Sequence, residues 1–348
     1  MTTKQTVTER LRSLDSVMLA DFASFANRFE YACGSDTEYL IPCSGGIDAN
    51  HIAGSVESID PRIVGLVVDY MSAYMLDESM SAPEAFKLAA KGGSRLTNYD
   101  FIYDMGSDYF KRLLGEDVDS AEKVEDVLER LFAQVDRSLS RESIDAAAKL
   151  TWFDEFARGS GAKLGLKVPL DGISVDDATA RNIGIMIRRA CSWLGPTLDG
   201  YELDVGNDPE AEFVSSAVID YVSRGCLWDM KCATNDPGVL ARLQVLCYLI
   251  MGTHLGAFSD KPVDSIGIVN PRRDETLVLP IESVKPDELR AACEVIVGYP
   301  SDVTDALVDA IVHGESLESE YTAQDIRKKT YDAAMSRIDA LREERQNA

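Results

Sequence analysis

Apolar positions along this chain follow two periods, and the change from one to the other divides it. Between residues 6 and 32, Met18, Phe22, Phe25, Ala26 and Phe29 fall at helical spacing. This predicts two short helices, with Thr8 capping Glu9-Arg10-Leu11. Residues 33–59 show no period, and Cys43-Ser44-Gly45-Gly46 reads as a loop. Asp60-Pro61 is a helix start, a cap followed by proline at the first helical position. The run over 62–71 is nearly all apolar, so a buried helix carrying one acidic residue, Asp69, is expected. Gly65, one turn earlier, allows close backbone approach on that side. Helical spacing then continues from 82 to about 195. Ser81-Ala82-Pro83 opens one helix, and Val124, Val127, Leu128, Leu131 and Val135 stripe a second. A third starts at Ser143 and runs through Leu150, Phe153 and Phe156. Ser174 caps a fourth that holds Ile183, Ile187 and Trp193.

After 199 the period becomes two. Residues 199–206 and 212–222 are rich in β-branched and aromatic side chains around Gly206-Asn207-Asp208-Pro209, which predicts a hairpin. Ser223-Arg224-Gly225 turns into a further strand over 227–231. Asn235-Asp236-Pro237-Gly238 then starts a helix from Val239 to about Gly252. A strand over 265–269 ends in a turn at 270–275, and 277–281 pairs back on it. Helices over 286–297, 302–313 and 322–345 complete an α/β pattern.

Composition bounds the class. The chain has 348 residues, 45% apolar and 27% charged, which suits a globular protein with a sizeable core. No apolar run approaches the roughly 20 residues needed to cross a bilayer, and the first residues lack a signal-peptide core. A cytoplasmic, non-membrane protein is expected. The seven cysteines (33, 43, 191, 226, 232, 247, 293) form no C-x-x-C pair and read as small buried side chains. With only His51, His254 and His313 besides, a zinc site is not expected. Net charge is −24, which excludes a broad basic face wrapped by nucleic acid. An enzyme whose cations line one groove remains compatible with it. The acidic residues of 116–126 read as a solvated surface.

The candidate chemistry sits in the strand over 227–231, apolar except for Asp229 and Lys231. Residues two apart on a strand share a side, so this carboxylate and ammonium sit together while Met230 faces away. Unpaired buried charge is costly, which leaves a structural salt bridge or a metal site with a lysine beside it. Asp229-Met230-Lys231 is the only acidic-x-Lys triplet in the chain. Asp220 lies nine residues earlier across a tight turn, so adjacent strands can bring the two carboxylates side by side. Such a pair repels unless one is protonated or a cation sits between them. Mg²⁺, which takes a few carboxylate oxygens and waters, suits that place. Lys231 would hold an attacking water or stabilise charge on a phosphate. Gln244 and Tyr248, one turn apart, share a helix face.

Asp220, Asp229-x-Lys231 and Gln244-x-x-x-Tyr248 together resemble the PD-(D/E)xK nuclease superfamily, within it the RecB-like exonucleases. Gly65–Asp69 matches the helix where that group often has Gly-x-x-x-His, with Asp in place of His. The resemblance covers about 60–76 and 199–270. It implies a restriction-endonuclease-like core over 60–281, a mixed sheet flanked by helices, with a helical insertion at about 82–195. An N-terminal region over 1–59 and a helical C-terminal region over 282–348 lie outside it. The implied activity is Mg²⁺- or Mn²⁺-dependent hydrolysis of DNA phosphodiesters, exonuclease-like, in repair, mobile-element processing or phage defence. Asp69, Asp220, Asp229 and the Met230 carbonyl would hold the metal. Asp220, Asp229, Lys231, Gln244 and Tyr248 would carry catalysis. The cysteine trio that closes an iron–sulfur site in some members is missing, so no cluster is expected. Arg272, Arg273 and Lys261 are candidates for the DNA backbone, the arginines equally for a solvated hairpin tip. Trp228 and Tyr221 read as core rather than base-stacking groups. Two alternatives stand beside this: an acidic scaffold that does not cut, and a nuclease subunit whose protein partner supplies the grip on DNA.

Overall fold

The computed structural model describes residues 4–34, 57–96, 111, 114, 121–157 and 169–314. The expected loop at 43–46 and the helix over 322–345 lie outside the described residues. Strand β1 (Gln5–Thr6) leads into α1 (Val7–Ser13), α2 (Ser16–Asp21) and α3 (Ala23–Ala26). Thr6, not Thr8, caps α1. Its Oγ1 accepts from the Glu9 N–H at 3.1 Å, and Glu9 Oε2 accepts from the Thr6 N–H at 2.9 Å. That reciprocal pair needs a Thr-x-x-Glu spacing, which Thr6 has and Thr8 lacks. Strand β2 (Glu30–Cys33) was not expected. All four of its residues are exposed, so no burial alternation marks it.

Helix α4 (Pro61–Leu76) starts where expected, with the Asp60 carboxylate accepting from the Arg62 N–H at 2.8 Å. The helical stretch after it contains α5 (Ala82–Ala85), α6 (Lys87–Leu96), α7 (Ala121–Gln134), α8 (Arg141–Ala157) and α9 (Asp177–Leu194). Helix α8 begins two residues before Ser143, whose buried hydroxyl instead binds the Asp136 carbonyl at 3.0 Å. Asp176 rather than Ser174 caps α9, accepting from the Thr179 N–H at 2.7 Å. A carboxylate there also meets the positive end of the helix dipole.

The remaining strands are β3 (Gly200–Asp204), β4 (Val214–Ser216), β5 (Val218–Ser223), β6 (Cys226–Met230), β7 (Ser265–Asn270) and β8 (Glu275–Pro280). The strand expected over 212–222 is therefore two: β4 pairs in parallel with β1, and β5 joins the main sheet. That sheet has six strands in the order β2-β8-β7-β6-β5-β3 and is mixed. Strands β6 and β7 are parallel, while every other neighbouring pair is antiparallel. Parallel neighbours need a crossover, and α10 (Gly238–His254) supplies it. The β5–β6 turn places Arg224 and Gly225 at φ 52° and 72°, the sense that matches strand twist in a two-residue hairpin. After β8 come α11 (Pro286–Ala291), continued by a π-helical turn over 292–297, and α12 (Ser301–His313).

Helices cover both faces of the sheet. One core joins α4 to α9 with Tyr221, Trp228, Met230 and Val269, so the helical block shares its interior with the sheet. The buried Tyr70 hydroxyl donates to Asp154, tying α4 to α8 within it. The other core joins α1, α10, α12 and the π-helical turn with Ile219, Leu227, Ile266 and Leu277. Gly267 makes room for Trp228 on the neighbouring strand: a Cβ there would lie 2.6 Å from the indole ring. Trp228 and Tyr221 are buried in the core, as expected. Cys226, Cys247 and Cys293 are buried too, whereas Cys33 is exposed because it ends an edge strand. Among the described residues, no helix is long and apolar enough to cross a membrane.

Candidate metal and catalytic site

The motif residues converge where β5 and β6 leave regular pairing. The ladder matches Tyr221 with Trp228 and Val222 with Leu227, and one further step sets Asp220 opposite Asp229. The Asp220 carboxylate takes over at that point, with Oδ2 accepting from the Met230 N–H at 2.8 Å. Trp228 and Met230 pack into the helical-layer core and Leu227 into the other, so Asp229 faces away from the Met230 side chain. Asp69 enters from α4, held by the Tyr221 hydroxyl, which reaches its Oδ1 and its carbonyl, each at 2.5 Å. Gly65 contributes little to this approach: a Cβ there would meet Cys232 Cβ at an ordinary 4.0 Å.

Asp229 is 1% exposed, and Lys231, 30% exposed, is its counter-ion. The ammonium donates to Oδ1 at 2.9 Å and lies 2.7 Å from Oδ2, which receives no hydrogen bond. Asp69 and Asp220 are half-buried. Burial pushes the Asp69 carboxyl up to about 7 against the Tyr221 hydrogen bond, with Glu202 and Asp229 adding to the rise. Burial, then the charges of Asp69 and Asp229, drive Asp220 well above the usual carboxylate range. Asp229 is raised by burial and drawn back by Lys231. Lys231 stays protonated, because Asp229, Asp220 and Asp69 outweigh its own burial. Fully ionised, the three carboxylates would exceed that ammonium by two negative charges; the raised values mean that Asp69 and Asp220 hold protons in preference when no cation is present.

Those donors are hard oxygens. The nearest thiol, Cys232, is held neutral, with burial pushing it up to about 12. The set fits a hard divalent cation, which takes oxygen ligands and retains waters. Gln244 Nε2 donates to Tyr248 Oη at 2.6 Å, and both side chains are nearly buried. Burial, and then Asp229 and Asp220, raise the Tyr248 phenol well above 10, so its hydroxyl lies in the field of the same carboxylates. A cavity of about 390 Å³ opens beside Lys231, lined also by Pro61, Thr234, Asn235 and Ala241.

The cations expected to meet DNA sit otherwise. Arg272 is 1% exposed, its guanidinium donating to the Cys232 carbonyl at 3.1 Å and to Glu57 Oε1 at 2.6 Å. Arg273 grips Glu275 through two nitrogens and donates to the Thr234 carbonyl at 3.1 Å. Neither forms a solvated hairpin tip, because buried acceptors turn both inward. Lys261 pairs with Asp199 at 3.2 Å, beside the β5–β6 turn and at the opposite end of the hairpin from Asp220. Sequence reasoning missed Glu202, across β3 from Asp220, and Lys87 of α6, which pairs with it at 3.0 Å. No pattern in the sequence marked Glu202, because its φ of 43° breaks the strand period.

A second acidic group lies at the far end of α10. Asp208, Glu210 and His254 each place one ligand atom within 4.8 Å of the others, a spacing that could hold a metal ion. Among the described residues it is the only group of three or more that meets this spacing, so Asp69, Asp220 and Asp229 are set wider. The chain matches no known family model, no curated protein and no solved structure.

Proposed function

We propose that the protein is a metal-dependent nuclease that hydrolyses DNA phosphodiesters, on a core of the PD-(D/E)xK type. One observation carries the reading: Asp229 on β6 pairs with Lys231 at 2.7 Å, and the charges of Asp220 on β5 and Asp69 on α4 act on the same lysine. A structural salt bridge needs only Asp229 and Lys231; Asp220 and Asp69 each accept one local hydrogen bond, from the Met230 N–H and the Tyr221 hydroxyl, and their remaining carboxylate oxygens are left for a cation. The order of elements supports it as well. Helix α4, the β3–β5–β6 meander, crossover α10 and β7 follow one another as that core implies, with the motif residues on α4, β5, β6 and α10. The wide spacing of the carboxylates is compatible with Mg²⁺ or Mn²⁺, which keep several waters and bind through one or two carboxylates.

When bound at Asp220, Asp229 and the Met230 carbonyl, with Asp69 beside them, the cation supplies a Lewis acid for the phosphoryl group. The chain's own groups do the rest. Lys231, protonated and part-exposed, orients the attacking water and offsets charge on the phosphorane as one P–O ester bond breaks. The Tyr248 hydroxyl, fixed by Gln244, stays neutral and can donate to a phosphate oxygen.

A second reading is favoured by Arg272 and Arg273, which are engaged inside the chain. With net charge −24, a partner that supplies cations would make this a nuclease subunit. Purified protein with Mg²⁺ or Mn²⁺, set against linear, circular and single-stranded DNA at low salt, tests both. Cleavage that Lys231→Ala abolishes supports the nuclease. No cleavage with the metal bound supports the subunit reading, and no metal binding refutes both.

A further inference from the structure

Glu202 is the acidic side chain of this cleft that the motif pattern leaves out. The β3–β5 ladder pairs Tyr201 with Tyr221 and Leu203 with Ile219, which sets Glu202 across from Asp220. Its φ of 43° is rare for a bulky residue and breaks the alternation of the strand. The chain holds a charged group there at 7% exposure. Glu202 Oε2 receives no hydrogen bond, and the cation beside it is Lys87, 3.0 Å away and 48% exposed. Lys87 also donates to the Glu202 carbonyl at 3.1 Å. Fully ionised, this pair and the motif residues amount to four carboxylates and two ammonium groups, a difference that one divalent cation would offset.

We propose that Glu202 is a further carboxylate for the divalent cation of the Asp69–Asp220–Asp229 cleft, directly or through a water, and that Lys87 competes with the cation for it. The inference rests on the reading of that cleft as a cation site. Metal affinity is then set partly from the helical layer, since Lys87 belongs to α6 and not to the motif strands. A salt bridge serving only to tie α6 to β3 behaves differently: losing either partner has the same sign of effect.

Titration calorimetry of the full chain with Mn²⁺ separates the two. Glu202→Gln is expected to weaken Mn²⁺ binding about ten-fold or more. Lys87→Met is expected to tighten it several-fold, because the carboxylate loses its competitor. Shifts in the same direction, or unchanged affinity in Glu202→Gln, overturn the proposal. If Glu202→Gln does not fold, Lys87→Met decides alone: tighter binding supports the proposal, and weaker or equal binding overturns it. Asp220→Asn is the control. Wild-type protein that binds no Mn²⁺ refutes the cation site and this inference together. Binding that Asp220→Asn abolishes but Glu202→Gln leaves intact refutes the role of Glu202 alone.

Discussion

Asp208 and Asp229 have almost no solvent exposure, 0% and 1%, yet their surroundings treat them in opposite ways. Asp208 accepts from the Tyr299 hydroxyl at 2.5 Å and the Glu210 N–H at 3.0 Å, and its Oδ2 lies 2.7 Å from His254 Nδ1. Burial alone would raise its pKa, but these partners hold it below the usual range. The far ring nitrogen of His254 lies 2.9 Å from Glu210 Oε2. Two nitrogens on opposite sides of one ring thus serve two carboxylates, so a protonated His254 can act as a strut between them, although the spacing of the group could also hold an ion. Asp229 has one lysine, which it shares with Asp220 and Asp69, and all three carboxyls are raised. Buried charge that the chain itself satisfies is structure; buried charge left short of a partner is costly, and the proposed cation site rests on that difference.

The largest effects should separate the two groups by kind. Asp229→Ala or Lys231→Ala is expected to lower Mg²⁺-dependent cleavage by about 100- to 1,000-fold, measured on folded protein. His254→Ala leaves Asp208 buried without its cation, which should cost about 3 kcal/mol in urea unfolding. Its cleavage rate per folded molecule should stay unchanged. A loss of activity without loss of stability at His254 would undo the contrast.

The pH response comes next in size. Asp69 titrates near 7 when folded, above its ordinary 3.8, so without metal its contribution falls as pH rises from about 4 to about 7. His254 is raised above 6.5 by Asp208 and Glu210 despite burial, so its contribution is full below 6.5 and lost above its folded value. Asp208 contributes above 3.8 and loses that contribution only as pH falls through its depressed value. Metal-free thermal melts should therefore decline from pH 5 to pH 8. Mn²⁺ should restore stability at pH 8 but not at pH 5, where protons compete for the same oxygens. Equal rescue by Mn²⁺ in Asp220→Asn would detach the effect from the cleft.

The smallest effect sharpens one contact. Tyr221→Phe removes the hydroxyl that Asp69 accepts from, costing about 1 kcal/mol. The acid limb of the pH–rate profile should move upward, since that hydrogen bond holds the Asp69 pKa down. An unmoved limb would mean that Asp69 does not titrate in the reaction.

What could be read from the sequence was what is local. The Arg224-Gly225 turn brings Asp220 and Asp229 together within a single hairpin, so spacing and strand period were enough to find them. The same holds for Gln244 and Tyr248 on one helix face, and for the proline start of α4. Three things were hidden for physical reasons. Strand β2 shows no alternation because all of it faces solvent. Glu202 sits on backbone that breaks the strand period. Arg272 looked like a turn cation because its acceptor, Glu57, lies 215 residues away.

Locating Mn²⁺ by anomalous scattering in crystals of the protein at pH 8 tests the central contrast most directly. The expected result is a peak between Asp220 and Asp229, with none at the His254 ring. A peak at Asp208, Glu210 and His254, with the Asp220–Asp229 cleft empty, would contradict the account.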